Sequence, residues 1–383
     1  MAKFVIYDTE HFETTYALIR ILDKEEIQLA IFTTSKMEFV LKEMLGDSSS
    51  RYLWNTCKKS NLWFAVKLYH YCSIQKVSHL FLNTVSYHHI YFGVLCGLLR
   101  NTKSILTIHN ANSFFSPKFQ FRSRSIIQFL GKKSLKLTAN AYATLLESTK
   151  QYIREKYKPR QPIYVLPGGV NETVLTNKTQ KESAIVLLVC GGIDEFRRDY
   201  NRVFELAYEL EQRRTTCEIV LLGSATGQYG KDIIMRSLNW VGSFVSLKVY
   251  TSHFVSTSEY EMQLKQCHFI FHPLNRIIHV PDRQPEEYGI SSSSGSFFDA
   301  IRFAKPILLP SEIQLPIEIA AQCVCYCSIQ ELADFLNTLS ETKMEQLQSQ
   351  AQKNSLNFTV GAVRKRLWAT MDLKSCMDVY PEN

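Results

Sequence analysis

Three short stretches bring together residue types able to hold a phosphate or a sugar hydroxyl. In "GGIDEFRRDY" an apolar run ends at Gly191 and Gly192, and Arg197 and Arg198 follow just before a helical pattern. Guanidinium forks bind phosphate oxygens through two parallel hydrogen bonds, although a double arginine alone is more often a solvated helix start. "LTIHNANSF" places His109 and Asn110 directly behind an apolar segment. A lone histidine there is structural more often than chemical. The third stretch, "EEYGISSSSGSFFDAIRFAKPILLP", runs from Glu286 to Pro310. A helix beginning near Ser294 would turn unpaired N–H groups and the positive end of its dipole toward an anion. Ser293, Ser294, Gly295 and Ser296 allow close backbone approach, and Asp299 on the first turns can accept hydrogen bonds from neighbouring sugar hydroxyls. A solvated serine linker is the competing reading, but "FFDAIRFAKPILL" is too apolar to follow a linker without being buried.

Several other chemistries are excluded. No G-x-G-x-x-G follows the first strand, and "YDTEHFETT" contains no glycine. "GSATGQYGKD" lacks the spacing of a phosphate-binding P-loop and ends in Asp232 rather than Ser or Thr. There is no His-Glu-x-x-His, no G-x-S-x-G and no Asp-x-Asp pair. His88 and His89 lie in an aromatic-rich helical run where packing or exposure is the simpler reading. Cys323, Cys325 and Cys327 alternate as on a strand and lack the Cys-x-x-Cys spacing of metal loops, so no metal site is expected. The ten cysteines show no pairing pattern and read as reduced thiols of a cytosolic protein.

The elements that position these residues alternate. "KFVIYD", "IQLAIFTT", "SHLFLN" and "SILTIHN" are short apolar strands separated by helical patterns, which predicts a parallel sheet with helices on both faces. Pro167, Gly168 and Gly169 punctuate "QPIYVLPGGVNETVL" and mark a domain junction. The pattern then restarts with "AIVLLVCGG", "CEIVLLGSA", "LKVYT", "HFIFHPL", "KPILLP" and "CVCYC". Two such sheets facing each other leave a cleft at the carboxyl ends of their strands.

With 383 residues and a hydrophobic fraction of 45% the chain suits two globular domains. The first residues lack a basic region followed by a long apolar run, so a signal peptide is not expected. No run reaches the ~18 apolar residues of a spanning helix. The net charge of +8 is uneven: +12 up to Gly168 and −4 beyond it. Between Asp47 and Glu147 there are 13 Lys and Arg and no Asp or Glu. An anionic membrane surface or an anionic acceptor suits such a region, whereas no nucleic-acid motif accompanies it. Localisation is therefore expected to be cytoplasmic, peripheral on the inner face of the membrane.

The order and spacing of these motifs resemble the GT-B glycosyltransferases, in particular retaining enzymes of glycosyltransferase family 4. "FFDAIRFAKPILLP" is similar to that family's Glu-Ala…Gly-Lys-Pro-Val-Ile stretch, and "YVLPGGVNE" to its interdomain Pro-Asn-Gly-Val-Asp. "VCGGIDEFRRDYNRVFELAYEL" and "FVSTSEYEMQLKQCHFIFHPL" resemble its donor-side motifs, and the likeness is clearest from Tyr164 to Pro310. The resemblance implies an α/β protein of two Rossmann-like domains, with residues 1–167 binding acceptor and 168–360 binding donor. A helix and tail, 361–383, would cross back to the first domain. It implies a nucleoside diphosphate sugar, UDP- or GDP-linked, as co-substrate, with no metal or other cofactor. Transfer would retain configuration, onto a sugar, glycolipid or lipid-linked acceptor in polysaccharide or glycolipid synthesis.

Carried over by position, Arg198 or its neighbour Arg197 would neutralise the diphosphate, with Gly192, Gly223 and Tyr288 on the donor side. Ser293, Ser294, Gly295 and Ser296 would cradle the diphosphate, and Asp299 would hold the ribose. His109 would sit near the reacting carbon, with Glu10, His11 and Asn110 facing the acceptor. Glu287, preceding Tyr288-Gly289, would contact the transferred sugar, although the family's fixed spacing back from Asp299 falls on Ser291 and Ile193 stands where an arginine is usual. The first loop also lacks the family's glycines. Two alternatives stay open: a non-catalytic nucleotide-sugar-binding subunit, and an epimerase of nucleotide sugars built on the same two domains.

Overall fold

The computed structural model describes residues 2–59, 62–119, 121, 123–172, 184–252 and 255–371. The first sheet has seven strands: β1 (Ala2–Tyr7), β2 (Ile27–Thr34), β3 (Leu53–Cys57), β4 (His79–Leu82), β5 (Lys103–Thr107), β6 (Ala141–Thr144) and β7 (Ile163–Val165). Their order is β3-β2-β1-β4-β5-β6-β7, with every neighbour parallel. Consecutive buried residues such as Phe4 to Tyr7 explain this: a strand covered by helices on both faces needs apolar side chains on both.

The second sheet is built from β8 (Ile185–Cys190), β9 (Cys217–Leu222), β10 (Val245–Val249), β11 (Phe269–Phe271), β14 (Ile307–Pro310) and β15 (Cys323–Tyr326). Its order is β10-β9-β8-β11-β14-β15, again parallel throughout. Between β11 and β14 lies a separate antiparallel hairpin of β12 (Ile277–Ile278) and β13 (Glu286–Glu287). The two facing parallel-sheet domains are the GT-B architecture expected from the sequence.

Strand order reverses between β1 and β4 in one sheet and between β8 and β11 in the other. At such switch points the loops leaving neighbouring strands diverge to opposite faces and open a crevice at the carboxyl ends. The two crevices face each other across the junction. There Gly168 and Gly169 pass so close to Phe298 that a Cβ on either would meet its ring or Cβ at 2.6 to 3.0 Å. One apolar cluster runs from Phe4 and Ile6 through Val170 to Val186 and Leu188, so the core is continuous across the junction.

The helix Val360–Thr370 returns to the first domain and packs on the helix Phe12–Leu22. Thr359 caps its start by accepting from the Ala362 N–H. The Arg364 guanidinium donates to the Arg20, Ile21 and Asp23 carbonyls, which meets three acceptors left open at the end of that helix. The part of the expected crossing tail at 372–383 lies outside the described residues. No helix among the described residues is long and apolar enough to cross a membrane.

Candidate active site

Asp8 follows β1 and is fully buried. It accepts hydrogen bonds from the Glu10 and His11 N–H groups, the Thr15 and Thr84 hydroxyls and the Asn83 amide. Burial raises its pKa, opposed by the charge of His11 and by these donors. A short carboxylate after one strand and short polar residues after the next thus tie the loops of the switch point together. Thr84 and the Asn83 carbonyl in turn contact His109 Nε2, at 3.2 and 2.8 Å. Bonding to that carbonyl assigns the proton to Nε2 and leaves Nδ1 as the acceptor. Burial, with His11 beside it, pushes the His109 pKa down to about 3, so the ring is neutral near pH 7. The His11 and His109 rings lie 4.6 Å apart.

On the facing domain, Gly191 and Gly192 end β8. Gly191 has φ +95°, and a Cβ there would approach the Arg198 guanidinium at 2.7 Å; glycine is needed both for conformation and for space. Arg198 is 6% exposed. It donates to the Gly192 carbonyl at 3.2 Å, its Nε has no partner, and no carboxylate pairs with it among the described residues. Arg197 is exposed and lies 3.7 Å from Asp194. The neighbouring arginines are therefore unlike: one is a surface ion pair, the other a buried charge lacking a counter-ion.

The serine run divides its labour. Ser291 Oγ accepts from the Glu287 N–H, Ser292 donates to Asn110 Oδ1 at 3.0 Å, and Ser294 Oγ lies 2.7 Å from His272 Nε2. Burial and the nearby Arg198 charge drive the His272 pKa well down, so this ring is neutral. Ser294 is the N-cap of the helix Gly295–Arg302 but makes no side-chain cap bond. The Phe297 N–H turns back to the Ser294 carbonyl at 3.2 Å, which leaves the Gly295 and Ser296 N–H groups for another acceptor, and around Gly295 the space for a Cβ is empty. Asp299 accepts from the Tyr260 hydroxyl at 2.8 Å, and burial raises its pKa.

A cavity of about 350 Å³ joins these groups. It is lined by His11, His109, Asn110, Gly192, Arg197, Arg198, Tyr288, Ser293, Ser294, Gly295, Ser296 and Asp299, all expected from the sequence. Three expected residues do not line it. Glu287 is held by Arg276 at 2.7 Å, because side chains alternate along β13 and it is Glu286 that faces the cleft. Gly223 packs instead: a Cβ there would collide with the Gly191 carbonyl. Glu10 lines a second, adjoining cavity of about 620 Å³ and accepts from the Ser86 hydroxyl at 2.6 Å.

Glu13, Tyr260, Glu286 and Arg302 also line the first cavity and went unnoticed in the sequence. Glu13 stands in the first turn of the helix Phe12–Leu22. Burial pushes its pKa up to about 7, and nearby Asp299 pushes the same way. Only its position just after a strand could have singled it out. Tyr260 comes from a helix whose face toward Asp299 is set by packing. Among the described residues no group of three or more His, Cys, Asp or Glu could hold a metal ion; Cys323 and Cys325 sit Sγ to Sγ at 3.7 Å without a third ligand.

No protein-family model matches the sequence, and no curated protein matches it. Solved structures match the whole fold. The N-terminal domain of Candida albicans trehalose-6-phosphate phosphatase aligns with TM-score 0.58 and 11% identity, over 99% of this chain and 97% of that one. A putative UDP-N-acetylglucosamine 2-epimerase from Listeria monocytogenes gives 0.56 and 12%, over 100% and 98%. A UGT transferase from Siraitia grosvenorii, solved with UDP, gives 0.53 and 8%, over 98% and 100%. At such identities the likeness is one of fold.

Proposed function

We propose that this protein is a glycosyltransferase using a nucleoside diphosphate sugar, with the diphosphate bound between Arg198 and the start of the helix Gly295–Arg302. The observation that carries this reading is Arg198, a buried guanidinium without a carboxylate partner. A desolvated, uncompensated charge is costly in the free protein, and an anionic ligand removes that cost. The Gly295 and Ser296 N–H groups at the helix start point to the same ligand class, and Asp299 with Tyr260 offers a pair for ribose hydroxyls. The likeness in fold to a transferase solved with UDP and to a putative UDP-sugar epimerase agrees with this choice.

In the proposed reaction an acceptor hydroxyl forms a new bond to the anomeric carbon while the bond from that carbon to the diphosphate oxygen breaks. The electron pair leaves with the diphosphate, stabilised by Arg198 and the helix N-terminus. The acceptor proton passes to the departing phosphate oxygen on the same face, which retains configuration without a protein base or a metal. Neutral His109 and Asn110 would orient the sugar and the acceptor, and Glu286 takes the cleft position that the sequence reading gave to Glu287. The exposed apolar side chains of the first domain, within its acid-free stretch, support a cytoplasmic, membrane-peripheral enzyme of polysaccharide or glycolipid synthesis.

Glu13 supports a second reading. A cleft carboxyl with a pKa of about 7 suits proton abstraction and return, as an epimerase of nucleotide sugars requires. The two readings separate when UDP- and GDP-sugars are incubated with and without acceptors. Nucleoside diphosphate release that depends on acceptor supports transfer; an epimer formed from donor alone overturns it. Transfer undiminished by EDTA is expected, and a dependence on added divalent metal would contradict the mechanism.

A further inference from the structure

The second cavity lies mainly in the first domain, with Arg197 and the segment 281–284 contributed by the second, and it adjoins the first cavity, sharing His11, His109, Asn110, Arg197 and Arg283 with it. If the first cavity holds the donor, the second is where the attacking hydroxyl must come from. Its wall includes Phe114, Phe129 and Leu135, together with Lys118, Lys132 and Arg283.

These cations are poorly compensated. Lys132 donates to one group, the Ser113 carbonyl at 2.7 Å, and forms no ion pair among the described residues. Burial, reinforced by the Arg283 charge, brings its pKa down to about 8, against the pull of Glu286. Glu286 itself is occupied by the Asn112 and Ser113 N–H groups, at 3.1 and 2.6 Å. Glu286 lines the first cavity and not this one; the carboxylates that line the second are Glu10, bound to Ser86, and the exposed Asp282. The chain from Ser48 to Leu146 carries no acidic residue, so the helix Ser123–Thr138 supplies none to offset Lys132.

We infer that this cavity takes an acceptor bearing an oxyanion, a phosphate ester or a carboxylate, with Lys132 at depth and Lys118 and Arg283 at the rim. This rests on the glycosyltransferase reading above. Arg283 reaches the cavity from the β12–β13 hairpin of the opposite domain, so the anion would also bridge the two domains. Charge-assisted hydrogen bonds from two or three cations in a partly desolvated site favour the anion over its neutral analogue by about tenfold or more.

Ligand-observed NMR titrations with hexyl phosphate against 1-hexanol, and glucose 6-phosphate against glucose, test the inference on the intact chain. At least one phosphorylated probe is expected to bind about tenfold more tightly than its neutral partner. Preference for hexyl phosphate identifies a lipid-like acceptor, and preference for glucose 6-phosphate a sugar phosphate. Lys132→Met should weaken that binding about tenfold. Arg283→Gln, an exposed site with no effect on folding expected, should weaken it several-fold, and Arg198→Ala should not. Equal binding of phosphorylated and neutral probes overturns the inference, as does loss with Arg198→Ala alone. If UDP or GDP binds but neither phosphate ester does, the acceptor class is wrong and the donor site stands. If no nucleotide binds either, the glycosyltransferase reading falls with it.

Discussion

Arg198 exposes a tension between stability and binding at the scale of single residues. Its buried charge costs folding energy, so removing it should not destabilise the chain. Arg198→Gln is expected to weaken nucleoside diphosphate binding by about 10–100-fold while Tm stays level or rises. Isothermal titration and thermal melts measure both, and a drop in Tm with unchanged affinity would show a structural arginine instead. Glu13 gives a pH test. Its folded pKa of about 7 lies above the unfolded value near 4.5, so between these values the native state holds more protons than the unfolded one. Its contribution to stability is therefore favourable at low pH, declines as pH rises from about 4.5 to 7, and is then constant. Glu13→Gln should raise Tm at pH 8 more than at pH 5; an equal shift at both would mean that Glu13 titrates normally. Glu13 was invisible in sequence because its pKa is raised first by burial in the folded protein and then by Asp299, far along the chain and on the other domain.

At the scale of elements, the ends of β8 and β9 must approach closely for the Gly191 turn to leave room for Arg198. Gly223 serves this approach rather than a ligand. Gly223→Ala should cost about 1–3 kcal/mol, since one extra carbon must displace backbone and not a flexible side chain. Chemical denaturation measures it, and a cost near zero would mean that the two turns are not packed as described. The β12–β13 hairpin and the serine run bridge the domains through Glu286, through the Ala111 N–H bonded to the Ser291 carbonyl, and through Ser292 with Asn110. Glu286→Gln weakens charge-assisted bonds to the Asn112 and Ser113 N–H groups. Amide exchange at 111–115 should then speed up several-fold, and unchanged protection there would deny the bridge.

At the scale of the whole molecule, the first domain presents apolar side chains and bases on one stretch of chain. Trp63 is 78% exposed, Leu137 76% and Phe121 94%, amid 13 Lys and Arg without an acid. Large exposed apolar groups beside cations fit an anionic bilayer surface, where each base near the surface adds about 1 kcal/mol. Co-sedimentation with vesicles rich in phosphatidylglycerol is expected at low salt, to decline as salt rises, and to weaken several-fold in Trp63→Asp. Binding equally to neutral vesicles, or none at low salt, would contradict a membrane-peripheral role. This contrast was legible early, because charge composition needs no folding to be counted.

The sequence by itself determined the architecture. Apolar strands alternating with amphipathic helices can be covered only as parallel sheets with helices on both faces, and Pro167, Gly168 and Gly169 break the chain between two such units. It also determined which strand ends carry short polar residues and glycines, since those stand directly behind each apolar run. Tertiary structure decided which of them meet. Alternation along a two-residue strand put Glu286 in the cleft and Glu287 in a pair with Arg276. The packing of strand ends separated buried Arg198 from exposed Arg197 and turned the Ser291, Ser292, Ser294 and Ser296 hydroxyls to neighbours within the protein, leaving the Gly295 and Ser296 N–H groups for a ligand. Burial, electrostatic compensation and the facing of two domains are sums over distant contacts, and no local pattern of residues encodes them.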